Sequence, residues 1–288
     1  MKNTESKSLA IIGSIYGDLI GSYYENSGIG PNAYTSPQEL MTPQAKITDD
    51  SICTIALLDA IQQPHKYGWF PAKRYAKALI AWGNMYPDEK YGYGPLFRSW
   101  FLAKNPRRQS ISGGNGAVMR LAGLAYVAPN KMEREAIAMT IPSHYTPEAI
   151  ECARIVAQLY RNILYHDSNT AVQQAIQQWK KIFEIELPPL VEEYPQNIIY
   201  PDAVKTLGLG LNILRHATSF NEAILLSLRN NRDTDTQASL VGGPAALLWG
   251  IPDTSIIRDT IHALDTRQQD VIKYAAPQWI EQYGGTFL

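Results

Sequence analysis

"GSIYGDLIGSYYE", residues 13–25, returns to glycine at every fourth position. Gly13, Gly17 and Gly21 therefore share one ridge of a helix, and Glu25 is the next step along the same row. Glycine inside a helix costs about 1 kcal/mol relative to alanine, so three on one face ask for a compensating contact. Close approach of a second backbone is the plainest one. A ridge packed in that way carries Glu25 towards whatever covers the glycines. Otherwise Glu25 is only a solvated residue at a helix end.

Outward from this ridge, the helical period continues almost everywhere. Apolar residues recur at three- and four-residue spacing over 8–24, 48–62, 71–83, 132–140, 146–165, 169–183, 201–216, 220–229, 235–249, 254–263 and 267–283. Strand-like alternation is confined to NIIY (197–200), which is short and runs into Pro201. Stretches 26–45, 84–116 and 186–201 are rich in glycine or proline and read as loops. The expectation is an all-α protein, one compact multi-helix domain over residues 1–288. Connections longer than roughly 15 residues inside such a domain are usually functional or disordered.

Composition narrows the function classes. With 45% hydrophobic and 18% charged residues the chain is an ordinary globular protein. A net charge of −1 provides no field for nucleic acid or an anionic membrane, and neither partner is expected. The apolar run LAIIGSIYG (9–17) stops at Asp18, and no stretch reaches the roughly 18 uncharged residues of a membrane span. Cys53 and Cys152 form neither a disulfide framework nor a metal-ligand spacing. A cytoplasmic location with buried, reduced thiols is expected; the oligomeric state is not legible.

Chemistry concentrates at two helix starts. TDDS (48–51) sets Asp49 and Asp50 between hydroxyls before an apolar helix. Thr48 can cap that helix, and acids in a first turn suit its dipole. Far along the chain, NRDTDTQA (231–238) repeats the arrangement with Asp233, Thr234, Asp235 and Thr236. Should the two starts meet, four carboxylates would repel one another unless hard divalent cations sat between them. Should they stay apart, each is a capped helix and nothing more.

Three further segments carry polar groups of interest. Ser112, Gly113, Gly114, Asn115 and Gly116 make a glycine-rich turn ahead of an apolar stretch expected to be helical over 117–125. Such a turn can cradle phosphate on backbone N–H groups, or be a plain loop. In SHYTPEA (143–149) Thr146 and Pro147 open a helix, with His144 just outside it. Pro244, inside the last acidic helix, is expected to kink it.

In their order, GDLIGSYYE (17–25), TDDS (48–51), YGPLFRSW (93–100), SGGNGAVMR (112–120), SHYTPEA (143–149) and NRDTDTQA (231–238) resemble the motifs of the ADP-ribosylglycohydrolase family, over about residues 10–252. The resemblance implies an all-α fold holding two Mg²⁺ or Mn²⁺ ions. Its metal ligands fall on Thr48, Asp49, Asp50, Asp233, Asp235 and Thr236, and its catalytic acid on Glu25, with Asp49 and Asp50 sharing that role. Its ADP-ribose pocket falls on Gly92, Tyr93 and Gly94, on the Ser112–Gly116 turn, and on His144. The implied partner is an ADP-ribosylated protein, linked through arginine or serine, or a small molecule bearing ADP-ribose. A catalytically impaired ADP-ribose-binding or structural protein on the same fold is the alternative. Its support is Asn231–Arg232, where the family has Gly-Gly. If that pair needs positive φ, arginine is poorly suited; alternatively Arg232 reaches the pyrophosphate or the target. Ser51 replaces a threonine, and Thr146 a second histidine.

Overall fold

Every long periodic segment is a helix, and among the described residues there are no strands, only one isolated bridge between Gly114 and Asp202. The computed structural model describes residues 4–27, 30, 31, 37–191 and 198–284. The first helix, Thr4–Ser27, runs through the middle of the fold and is buried along most of its length. Its widest contact is with helix Thr234–Trp249, at the other end of the sequence.

The glycine ridge makes that contact. A Cβ at Gly13 would stand 2.4 Å from the Gly242 carbonyl oxygen, at Gly17 2.1 Å from the Ala238 oxygen, and at Gly21 2.4 Å from Asp235 Cα. No side chain fits at those distances, so the two backbones touch directly. Hydroxyls fasten the seam: Thr234 Oγ1 donates to Gly21 O at 2.6 Å, and Ser14 Oγ and Ser239 Oγ lie 3.0 Å apart. The close approach recovers in packing what glycine costs in helix propensity. It also brings the end of the first helix beside the start of the last acidic one.

Helix Asp49–Gln62 packs against this pair and is almost wholly buried. Its tight hydrophobic contacts continue into helix Pro71–Met85, which buries Trp82, and into the segment Leu121–Tyr126. Helices Pro147–Tyr165, Ser168–Phe183, Ala203–His216 and Phe220–Asn230 complete the other side. Thr146 caps as expected, accepting from the Ala149 N–H, with Pro147 in the first turn.

Several expectations need correction. The stretch 117–125 is not an α-helix but two 3₁₀ segments, Asn115–Ala117 and Leu121–Tyr126, joined by a turn. The stretch 267–283 is two helices, Thr266–Ala275 and Pro277–Tyr283; Ala276 takes φ −139°, because the residue before proline avoids helical geometry. Within 84–116 lies helix Pro95–Leu102, opened by its proline, and Pro37–Leu40 and Pro64–Tyr67 add single turns. Residues 198–200 of NIIY form no strand, while Asn197 lies outside the described residues, as do parts of the loops 26–45 and 186–201. Pro244 lies inside helix Thr234–Trp249, as expected. Both cysteines are free and buried, and none of the described helices is long and apolar enough to cross a membrane.

Candidate functional site

Asp18, in the middle of the first helix, is fully buried. A carboxylate there needs donors, and the start of helix Asp49–Gln62 supplies them. Asp18 Oδ2 accepts from the N–H groups of Thr48 at 3.0 Å and Ser51 at 3.1 Å, while Thr48 Oγ1 donates to Oδ1 at 2.5 Å. The first turn of one helix is thus clamped onto the side of another. Thr48 also caps, accepting weakly from the Asp50 N–H at 3.4 Å.

The two acidic starts do meet. Thr236 Oγ1 donates to Asp50 Oδ2 at 3.2 Å, across 186 residues of sequence. Oxygens of Asp18, Asp50 and Asp235 lie within 4.8 Å of one another, and so do oxygens of Glu25, Asp233 and Asp235. Asp235 belongs to both sets, one deeply buried and one nearer solvent. Burial first, and then the charges of Asp18, Asp49 and Asp233, push the Asp50 carboxyl well above the usual range. Burial followed by Asp18, Asp233 and Glu25 does the same to Asp49, and burial followed by Asp50, Glu25 and Asp233 to Asp235. Burial also raises Asp18 and Asp233, against hydrogen bonds that favour their charged forms.

Such a cluster suits a hard cation. Asp50 Oδ1 is buried and has no hydrogen-bond partner among the described residues, the kind of orphan oxygen that a divalent ion satisfies. Carboxylates and hydroxyls are the donors such ions take. The oxygens of Asp18 accept from three donors, so Asp18 holds the Thr48 turn beside the cluster.

This centre forms the polar end of a cavity of about 470 Å³. Glu25, Asp49, Asp233, Asp235 and Thr236 line it, whereas Thr48 and Asp50 sit behind that wall. Gly92 and Gly94 lie on its rim. Gly92 has φ 82°, and a Cβ there would be 3.5 Å from Asp49 Oδ1. Tyr93 does not reach the cavity: its ring is buried against Phe97 and Phe101, with centroids 5.9 and 4.9 Å away. Ser112, Gly114, Asn115, Gly116 and His144 line the far side, and Gly113 is excluded.

The glycine turn is pinned from two directions. Ser110 N–H donates to Pro142 O and Tyr145 N–H to Ser110 O; Asn115 N–H donates to Pro201 O and Ala203 N–H to Gly113 O. Asn115 Nδ2 then reaches across to Asp233 Oδ2 at 2.6 Å, joining the turn to the acid centre. The Gly114 N–H is taken by Ser112 Oγ at 3.2 Å. Two of the turn's amides are therefore spent internally and no α-helix stands behind it, so the open phosphate cradle expected there is only partly present.

Phe97, Leu96 and Ile199 form an apolar end, with Leu96 and Ile199 more than half exposed at the mouth. Arg232 and Arg120 add two cations to the lining. Asn231 takes φ −144°, and Arg232 is absent from the positive-φ residues, so no backbone strain attends this pair. Asn231 is instead buried, its Oδ1 accepting from Tyr200 and Asp233 N–H groups.

Sequence reasoning passed over Asp18, Arg120 and Phe97. For Asp18 a signal existed: a lone carboxylate inside the run LAIIGSIYGDLIG must be paired if that helix is buried.

The sequence model of the ADP-ribosylglycohydrolase family matches residues 6–284. A curated relative, the ADP-ribosylarginine hydrolase Tri1 of Pseudomonas putida (strain GB-1), is 22% identical over 277 residues, covering 84% of this chain and 70% of its own. Among solved structures, an ADP-ribosylglycohydrolase-related protein complex aligns with TM-score 0.68 at 18% identity, over 98% of this chain and 99% of that one. At such identity the structural likeness shows the fold.

Proposed function

This chain belongs to the ADP-ribosylglycohydrolase family, and from that premise we propose that it is a divalent-cation-dependent hydrolase. Its substrate is the glycosidic bond between ADP-ribose and a modified side chain, arginine or serine, or a small molecule. The observation that carries this reading is the meeting of Asp50 and Thr236 in a buried carboxylate cluster at one end of a cavity.

In this reading Thr48, Asp49, Asp50, Asp233, Asp235 and Thr236 hold two Mg²⁺ or Mn²⁺ ions. Bound there, such ions supply Lewis acidity towards ribose hydroxyls and neutralise the cluster. The chain's own groups do the rest. Glu25 takes the proton of a water whose oxygen bonds to the anomeric carbon of ribose. The bond from that carbon to the side-chain nitrogen or oxygen breaks with its electron pair going to the leaving group, which then takes up a proton. Positive charge builds on the ribose ring in between, and the carboxylates stabilise it. Ser112, the glycine turn and His144 hold the pyrophosphate, and the apolar end around Phe97 takes the adenine, so that remote contacts orient the scissile bond.

The test is to incubate the protein with ADP-ribosylated arginine and serine peptides, with and without EDTA. Release of ADP-ribose that EDTA abolishes is expected from at least one. Absence of release from both, with ADP-ribose still bound, would favour the binding-protein alternative; AMP as product would point to pyrophosphate cleavage instead. The case for impairment drawn from Arg232 is weakened by its unstrained backbone.

A further inference from the structure

Arg120 is fully buried, lines the cavity beside His144, and makes no ion pair among the described residues. Its Nη2 donates to Ser143 Oγ at 2.7 Å and to Met139 O at 3.2 Å, and lies 3.4 Å from His144 Nδ1. Ser143 Oγ is in turn 3.0 Å from the same Nδ1. A guanidinium can only donate. Ser143 oxygen must therefore accept from Arg120, which leaves its single proton for Nδ1. With both Nη2 hydrogens directed at Ser143 Oγ and Met139 O, the 3.4 Å approach of Nη2 sets positive charge against Nδ1, which favours a bare Nδ1 accepting from Ser143 over one that carries a hydrogen.

The ring's other edge is fixed as closely. A Cβ at Gly116 would lie 2.9 Å from both Nε2 and Cε1, and one at Gly114 3.6 Å from Nε2. Nε2 thus abuts the glycine turn. Phe97 holds both partners in place, its centroid 6.4 Å from the stacked His144 ring and 5.5 Å from Arg120 Cζ. Burial and the nearby guanidinium keep the imidazole well below its usual pKa.

We propose that Arg120 is a positioning residue that, through Ser143, holds His144 as the neutral Nε2–H tautomer, presented at the glycine turn as a hydrogen-bond donor to an anionic oxygen of the ligand. That the oxygen belongs to the ADP-ribose pyrophosphate rests on the function proposed above; the tautomer does not.

The test is ¹⁵N NMR of the EDTA-treated full chain labelled at histidine, with the His144 signals assigned by H144Q. At pH 7 the wild type is expected to show a protonated Nε2 and a bare Nδ1. A protonated Nδ1, in either the other tautomer or the imidazolium, overturns the proposal. R120M is expected to populate the Nδ1–H tautomer and weaken ADP-ribose binding about tenfold, the loss of about one good hydrogen bond; R120K, which keeps a donor, restores much of both. S143A interrupts the same relay and serves if R120M does not fold. Adding ADP-ribose to the wild type should move the Nε2–H resonance, and an unmoved resonance overturns the donor role. Absence of hydrolysis would sink the proposed function while leaving this spectrum unchanged, so the two failures are distinct.

Discussion

The two acidic helix starts are near copies in sequence but are held in place by different partners. At Thr48–Ser51 the turn is capped by Thr48 and clamped by Asp18, with three donors directed onto one buried carboxylate. At Asp233–Thr236 the N-cap position, Asp233, makes no capping hydrogen bond; its side chain accepts from Asn115 on the glycine turn instead. Both starts are fastened to the first helix, the second through Thr234 to Gly21 O, and both line the cavity; only the second is bonded to the glycine turn. The acid centre is thus joined to the glycine turn from one side only, through Asn115 and Asp233.

The largest expected effect comes from removing what holds both starts together. Gly17→Ala places a methyl 2.1 Å from the Ala238 oxygen and forces the two central helices apart. A loss of about 3 kcal/mol or more is expected in denaturant unfolding, together with loss of cation binding. Unchanged stability would mean the ridge is not a true backbone contact.

Asp18→Asn acts first on the Thr48 turn. The amide can keep its oxygen on the two N–H groups, but its NH₂ then opposes the Thr48 hydroxyl that donated to Oδ1, and the charge is lost. Cation affinity measured by calorimetry should fall about 10- to 100-fold, the usual cost of disturbing a group that orients ligands. If affinity is unchanged, Asp18 does not orient the Thr48 turn.

Protonation sharpens the comparison next. Asp49, Asp50 and Asp235 have folded pKa values raised above their unfolded ones. Their contribution to stability is therefore complete below the ordinary carboxylate pKa, about 3.9, and is lost as pH rises through the raised values. EDTA-treated protein should melt lower at pH 8 than at pH 5, by about 3 °C for each kcal/mol or so lost. Mg²⁺ or Mn²⁺ should shrink or reverse that slope, since ions compete with protons for these oxygens. A melting point that rises with pH in EDTA contradicts the reading.

Asn115→Ala tests the link to the glycine turn and should have the smallest effect. Removing the 2.6 Å bond to Asp233 loosens the turn while leaving every carboxylate in place. We expect ADP-ribose affinity to drop by less than about tenfold with cation affinity nearly intact. Equal losses in both would show that the turn and the acid centre are one unit.

How much of this was legible follows from what each residue's neighbours are. The glycine ridge was readable because a four-residue step of glycines has few explanations, and it placed Glu25 correctly beside the second acidic start. The helices followed their apolar period. Asp18 was passed over because its donors come from backbone N–H groups thirty residues away, which no local pattern displays. The segment after the glycine turn reads as a helix by its apolar content, yet tertiary packing winds it into 3₁₀ turns around Arg120. Tyr93 stands in a motif with Gly92 and Gly94, but its large ring packs with Phe97 and Phe101, partners the motif alone does not display.

Mn²⁺ binding followed by the EPR signal of the free ion, in wild type, Asp50→Ala and Asp235→Ala, puts the shared centre to the most direct test. Each substitution, though the residues come from opposite ends of the chain, should weaken the same binding by at least about 100-fold. If wild type takes up no Mn²⁺, or if either variant binds as the wild type does, the two helix starts do not share a cation.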